Sequence, residues 1–303
     1  SRTEPQNPEK WILNGKERVA VKKYEGRNFN TVFEIVQAIP TNKREWKIKG
    51  FKIQDTLEPC FQLKTAQLYQ GEKALASFSA GGGSQNGWLM TVKGSEITVG
   101  TTGELPDSCY GQKLRLLLTV DMKADCDLQA YYVENPDPNI LEAHIYNIAI
   151  CSFDWIGGIP SSTSKNTEKI QVVIKENVPK GKIIIQKTNK KGEKLPNGVF
   201  QIIAAGDIRS ASGNILLKSG AIADTVTTGT DGKAVSESLY FGKYVVKEVK
   251  PPAGYTISKE SFEVQIDKNE REKKVAFQDD ETFVLIKKIS QKDVFLIRLS
   301  KLR

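Results

Sequence analysis

Along most of this chain apolar residues recur at every second position, in short runs broken by Gly, Asn, Asp and Pro. That is the period of a strand with one face buried, and no long stretch keeps the period of a helix. The pattern predicts an all-β chain of many short strands. Three runs break their own rule. Ile183 and Ile185 share a face with Lys187, Tyr244 and Val246 with Glu248, and Val275 and Phe277 with Asp279. Pro251, Pro252 and Gly254 end the second run in a turn.

A lysine, a glutamate and an aspartate thus enter one β core. An unpaired charge is expensive there, so each group must find a partner or take its neutral form. Desolvation strips the proton from an amine and keeps it on a carboxyl. A neutral amine beside one carboxyl, with a second protonated carboxyl at hand, is set up to form an amide. The plainer alternative makes Lys187 and Glu248 members of surface ion pairs.

The first half repeats the oddity. Val19 and Val21 share a parity with Lys23, which favours Lys23 over Lys22. Phe51, Ile53 and Leu57 share one with Asp55, and Ile145 and Ala149 with Asn147. The two halves part near residues 155–180, where 157–167 has loop composition and Ile170–Ile174 reads as a short strand. The expected organisation is an N-terminal extension over 1–15, a first domain over 16–155 and a linker strand over 156–179. A second domain follows over 180–281, then a tail over 282–303.

Three further pieces of the second domain support a resemblance. They are Gly192-Glu-Lys-Leu-Pro-Asn-Gly-Val-Phe-Gln-Ile202, the Thr230-Asp-Gly-Lys-Ala234 turn, and the box around Glu248 from Tyr244 to Tyr255. With the opening strand ending in Lys187, residues 180–281 resemble the collagen-adhesin B-type (SpaA-like) domains of Gram-positive surface proteins and pilins. The resemblance implies an immunoglobulin-like, prealbumin-type sandwich and a spontaneous intramolecular isopeptide bond. Lys187 and Asp279 would be the bonded pair and Glu248 the proton shuttle. Aspartate at 279 makes water the leaving group, and Asp280 beside it leaves the register open by one residue. The order Pro251-Pro252-Ala253 departs slightly from the family's usual Ala-Pro-x.

The first domain, with Val21-Lys-Lys23, Phe51-Lys-Ile-Gln-Asp-Thr-Leu57, the segment 110–122 and Asn147-Ile-Ala149, is similar to the fimbrial isopeptide-forming domains of the same class of proteins. The implied bond joins Lys23 to Asn147 with loss of ammonia, assisted by Asp55; Glu142 and Asp127 stay open as the acid. The fold expectation is therefore two tandem immunoglobulin-like β-sandwich domains.

With 303 residues, 39% hydrophobic and 26% charged, the chain can build real cores and is not disordered throughout. Its net charge of +8 comes from lysines spread over many strands, which fits solvated strand faces better than a nucleic-acid surface. No apolar run has transmembrane length, and the start lacks a signal-peptide core, which reads as a mature or excised fragment. Cys60, Cys109, Cys126 and Cys151 allow three pairings, and the expectation leans to buried free thiols. A thioester between Cys60 and a glutamine is a weaker reading, and Gly81-Gly-Gly reads as a hairpin loop. With His144 as the single histidine, neither a metal site nor a nucleophile–histidine–acid set is expected, and no cofactor is implied.

Two functions remain open at this point. One is a structural subunit of a pilus or adhesin stalk on the Gram-positive cell wall, self-crosslinked once per molecule and not an enzyme. Its partners would be other surface subunits, joined by sortase. Lys180, in Val178-Pro-Lys180, is either a linker lysine or the site of that attachment. The other is an adhesin whose first domain binds a host matrix protein, with a ligand surface in the irregular stretch from Gln70 to Pro106 near Trp88. The tail reads as the truncated start of a further domain or as a non-native segment.

Overall fold

Among the residues described by the computed structural model (2–41, 46–287 and 294–298), strand follows strand with no α-helix. Only two single 3-10 turns intervene, Asp107–Cys109 and Gln129–Tyr131. The chain is all-β, and it divides into two compact units. Unit 1 runs to Glu134 and resumes over Leu141–Glu176; unit 2 takes Asn135–Ile140 and the chain from Asn177 onward.

Unit 1 is built on two six-stranded sheets. The first has the order β2 (Glu17–Val19), β1 (Glu9–Asn14), β4 (Asn30–Ala38), β11 (Lys113–Met122), β6 (Phe61–Gln70) and β7 (Lys73–Ser79). The second has the order β15 (Ser162–Asn166), β14 (Ala149–Ile156), β5 (Lys47–Thr56), β10 (Glu96–Thr101), β9 (Trp88–Lys93) and β8 (Gly83–Gln85). A four-stranded sheet adds β12 (Tyr132–Val133), β13 (Ile140–Asn147), β16 (Ile170–Asn177) and β3 (Val21–Glu25). One apolar core draws on all three, with Ile12, Phe33 and Leu116 from the first, Ile53, Met90 and Phe153 from the second, and Ile145 and Val172 from the third.

Several expectations need correction here. The stretch 1–15 is no extension: β1 lies between β2 and β4, and its Ile12 is fully buried. The stretch 156–179 is no linker, because β15 and β16 are strands of unit 1 and Ile170, Val172 and Ile174 belong to its core. The stretch from Gln70 to Pro106 is regular rather than looped. It carries β7 to β10, and Trp88 is buried.

Unit 2 places β22 (Lys233–Val235), β17 (Lys180–Asn189) and β23 (Leu239–Tyr240) in one sheet, with β26 (Glu272–Asp279) also paired to β17. The other sheet has the order β21 (Ile222–Thr227), β18 (Val199–Ala204), β24 (Gly242–Lys250) and β25 (Ser261–Ile266). Ile183, Ile185 and Phe277 from the first meet Phe200, Tyr244 and Val246 from the second, closing the core between them. Each such side chain contributes about 1.5–3 kcal/mol on leaving water. β19 (Ile208–Arg209) and β20 (Ile215–Leu217) form a separate pair, as do β27 (Phe283–Lys287) and β28 (Val294–Arg298) in the tail.

The pairing of β17 with β26 is parallel, and it fixes where their inward side chains meet. Lys187 stands opposite Phe277, so Asp279 lies two residues further along on the same face. The approach is close at Gly181, where an added Cβ would sit 2.2 Å from the Arg271 carbonyl oxygen. Only glycine fits that position.

Candidate functional site

The parity argument for unit 2 has a direct structural counterpart. β17 carries Lys187 inward between the rings of Phe200 and Phe277, whose centroids lie 5.6 and 5.8 Å from Nζ. β24, in the opposite sheet, carries Glu248, and β26 carries Asp279. The Lys187 ammonium nitrogen touches both Glu248 Oε2 and Asp279 Oδ1. Neither Asp279 oxygen has a hydrogen-bond partner elsewhere among the described residues. Asp280 is instead exposed and pairs with Lys190 at 2.9 Å, so the carboxyl that reaches Lys187 is that of Asp279.

Unit 1 holds a second cluster of the same composition, but with a different lysine. Asp55 on β5 accepts from Lys10 Nζ at 2.5 Å through Oδ2, and from Asn147 Nδ2 at 2.9 Å through Oδ1. Lys10 rises from β1, and its Nζ lies 4.7 Å from the centroid of the Phe33 ring. Ala149 pairs with Asp55 in the β14–β5 ladder, which brings Asn147, at the end of β13, to the same face. All six side chains of the two clusters are at most 8% exposed.

Lys23 is not part of the cluster. It sits on β3, exposed, opposite Val173 of β16. The parity that singled it out fails because Val21 is itself 45% exposed, so that face is not a core face. The signal for Lys10 was present: it shares a parity with Ile12, a residue with no exposure at all. The alternative acids are engaged elsewhere. Glu142 pairs with His144 at 2.7 Å and with Lys175 at 3.7 Å, and Asp127 accepts from the Gln129 backbone N–H.

Burial sets the electrostatics of both lysines. Desolvation pushes the Lys10 ammonium below the usual lysine range, and its attraction to Asp55 only partly offsets this. Lys187 is lowered for the same first reason, against opposing contributions from Glu248 and Glu260. Each cluster therefore brings together an amine biased toward its nucleophilic form, a carbonyl carbon to attack and an acid within proton-transfer reach, shielded from water. That arrangement can make an amide.

The cysteines divide in a way not expected. Cys60 and Cys126 form a disulfide, with Cα atoms 5.3 Å apart, which also removes Cys60 from any thioester. Cys109 and Cys151 are buried free thiols, and desolvation raises both above the usual thiol range. Lys180, at the start of β17, is exposed, with Nζ 4.9 Å from the centroid of the Tyr240 ring.

Residues 181–281 match the family model of the SpaA prealbumin-like fold domain. A 46-residue stretch is 41% identical to the trypsin-resistant surface T6 protein of Streptococcus pyogenes serotype M6; it covers 15% of this chain and 9% of that relative. Among solved structures, BcpA, the major pilin subunit of Bacillus cereus, is similar over 92% of this chain and 71% of its own, with 16% identity and a TM-score of 0.41. The 35 kDa C-terminal fragment of the major pilin GBS80 of Streptococcus agalactiae is similar over 92% of this chain and all of its own, with 12% identity and a TM-score of 0.39. The strand-borne lysine, the glutamate box and the family match coincide over one stretch of chain, residues 181–281, which is similar to the SpaA prealbumin-like fold domain.

Proposed function

We propose that this chain is a structural subunit of a Gram-positive cell-surface pilus, held outside the cell and stiffened by two amides that it forms within itself. One joins Lys10 to Asn147 and the other joins Lys187 to Asp279. The observation that carries the reading is the recurrence of one buried constellation, lysine, carboxyl acid and side-chain carbonyl, in both units.

In unit 1 the neutral Lys10 amine attacks Asn147 Cγ. The new C–N bond forms, the Cγ–Nδ2 bond breaks, and Asp55 carries the proton from the amine to the departing nitrogen, which leaves as ammonia. In unit 2 the same attack on Asp279 expels water, with Glu248 as the carrier. Held contact replaces a bimolecular encounter, an effect worth about 7–11 kcal/mol of barrier. Each reaction happens once per molecule, so the chain modifies itself and does not turn over.

The product is a chain tied covalently to itself. By the entropy of loop closure, a tie across about 100 residues stabilises by about 4.7 kcal/mol. Unlike a disulfide, an amide is indifferent to reductants, a useful property for a subunit that bears tension outside the cell. The same reading takes other surface subunits as partners and assigns their sortase-made attachment to Lys180, whose exposed amine is free of any ion pair among the described residues.

Intact mass of the denatured, reduced chain tests the reading. A deficit of one ammonia and one water is expected. The full calculated mass would reduce the protein to two unlinked β sandwiches. Incubation with a pilin-class sortase and its sorting peptide tests Lys180, and an adduct at another lysine would remove that assignment.

A further inference from the structure

The turn after Glu248 is more ordered than a chain reversal requires. Gly254 takes a left-handed φ of +84°, and the Tyr255 N–H donates to the Pro252 carbonyl at 3.1 Å. From there the segment is stitched to the residues just past Asp279. Thr256 N–H donates to the Asp280 carbonyl at 2.9 Å, and Thr282 N–H donates to the Gly254 carbonyl at 3.0 Å. The hydroxyls of Thr256 and Thr282 lie 2.8 Å apart.

This stitching brings Ser258 to the acid. Its backbone N–H donates to Glu248 Oε1 at 3.2 Å, while Oε2 is the oxygen on Lys187. The Ser258 hydroxyl accepts from the Glu260 N–H at 3.2 Å, folding the segment onto itself. Glu260 is close enough that its charge favours the protonated form of Lys187.

Unit 1 needs no such device. Both oxygens of Asp55 are taken by the reacting side chains themselves, Lys10 and Asn147, so the reactants orient the acid. In unit 2 the acid makes no hydrogen bond to Asp279 among the described residues. Its second oxygen is held instead by the turn.

Resting on the amide-forming reading of unit 2, we infer that the Ser258 backbone N–H is a positioning group for the reaction. It fixes Glu248 Oε1 so that Oε2 stays on the amine while the proton moves. Lys187 Nζ bonds to Asp279 Cγ, the Cγ–Oδ bond breaks, and Glu248 passes the amine proton to the departing hydroxyl, which leaves as water. The stitching to Asp280 and Thr282 adds a second constraint, because one backbone segment then sets both the acid and the end of the acceptor strand.

The test removes that one N–H from the full-length chain. An α-hydroxy acid in place of Ser258 swaps the amide for an ester, and Ser258→Pro removes the same donor with a ring. Ser258→Ala keeps it. Chains synthesised in vitro and held in urea are refolded by dilution, quenched at intervals and weighed for loss of one water. The ester and Ser258→Pro chains should link about tenfold more slowly, the change that a barrier rise of about 1.4 kcal/mol produces. The acid limb of their rate–pH profile should differ from the parent's, because the proton-carrying group has lost a donor. Ser258→Ala keeps the backbone donor, so its acid limb should stay at the parent's position.

An ester chain that links at the parent rate would overturn the inference. Slowing with an unmoved acid limb would do the same, since that pattern marks a merely structural role. If Ser258→Pro does not fold, the ester chain decides alone. A parent chain that loses no water overturns the amide-forming reading itself, an outcome distinct from either.

Discussion

Lys10 Nζ lies 2.5 Å from Asp55 Oδ2 although β1 and β5 belong to different sheets. Asn147, on the other side of Asp55, comes from a third. The cluster of unit 1 therefore gathers one residue from each sheet, and an amide there would tie sheets together rather than neighbours within one. Lys10→Ala should restore the mass of one ammonia to the intact chain, while Lys23→Ala should leave the mass deficit unchanged. Peptide mapping checks the assignment. A crosslinked peptide containing Lys23 would reverse it.

The unlinked state of unit 1 should show the cost of burying an amine. Asn147→Ala removes the acceptor and leaves Lys10 beside Asp55. The folded Lys10 binds its proton less tightly than the unfolded side chain does, because desolvation lowers its pKa. Between that lowered value and the unfolded value of about 10.4, the unfolded state holds more protons, so stability must rise with pH. Urea unfolding of Asn147→Ala across the alkaline range should show that rise. Adding Lys10→Met should flatten it, and an identical slope in both chains would count against a desolvated Lys10.

Asp279→Asn should still link, with ammonia as the leaving group in place of water. The Asp279 oxygens meet only Lys187 among the described residues, so a carboxamide forfeits no other hydrogen bond. Intact mass separates the two leaving groups directly. Glu248→Gln, by contrast, removes the proton carrier and should leave unit 2 unlinked, at the cost of a buried lysine with a weaker partner.

The Cys60–Cys126 disulfide should stabilise unit 1 by about 2–4 kcal/mol, a typical contribution for such a closure. Thermal unfolding of Cys60→Ser with Cys126→Ser, in the Asn147→Ala background, measures it free of the amide. Cys109 and Cys151, buried and with raised thiol pKa, should resist alkylation until the chain unfolds. Labelling of either thiol in the native state at an ordinary rate would contradict their burial.

The unit 2 cluster was legible in the sequence for a specific reason. Lys187, Glu248 and Asp279 each continue an apolar parity that is truly a core parity, so alternation alone brings them to one interior. Lys23 followed a parity of equal appearance, but Val21 on its strand faces solvent. Period-two patterning tells which residues share a face, not whether that face is covered. Lys10 lies before residue 16, in the stretch whose composition suggests an extension, although Ile12 marks β1 as a core strand. The disulfide joins cysteines 66 residues apart, with no local spacing to announce it. Nor could alternation reveal the Ser258 contact, which is made by backbone in a turn.

The parallel run of β26 beside β17 has a consequence for how unit 2 meets a pull. The chain enters β17 at Lys180 and leaves β26 at Asp279, at opposite ends of one ladder. Tension between those points slides the two strands past each other, so every rung resists at once instead of parting in turn. With Lys187 joined to Asp279, the load would pass along β17 from Lys180 to Lys187 and straight out. The rest of the unit would hang from that line, carrying none of the force.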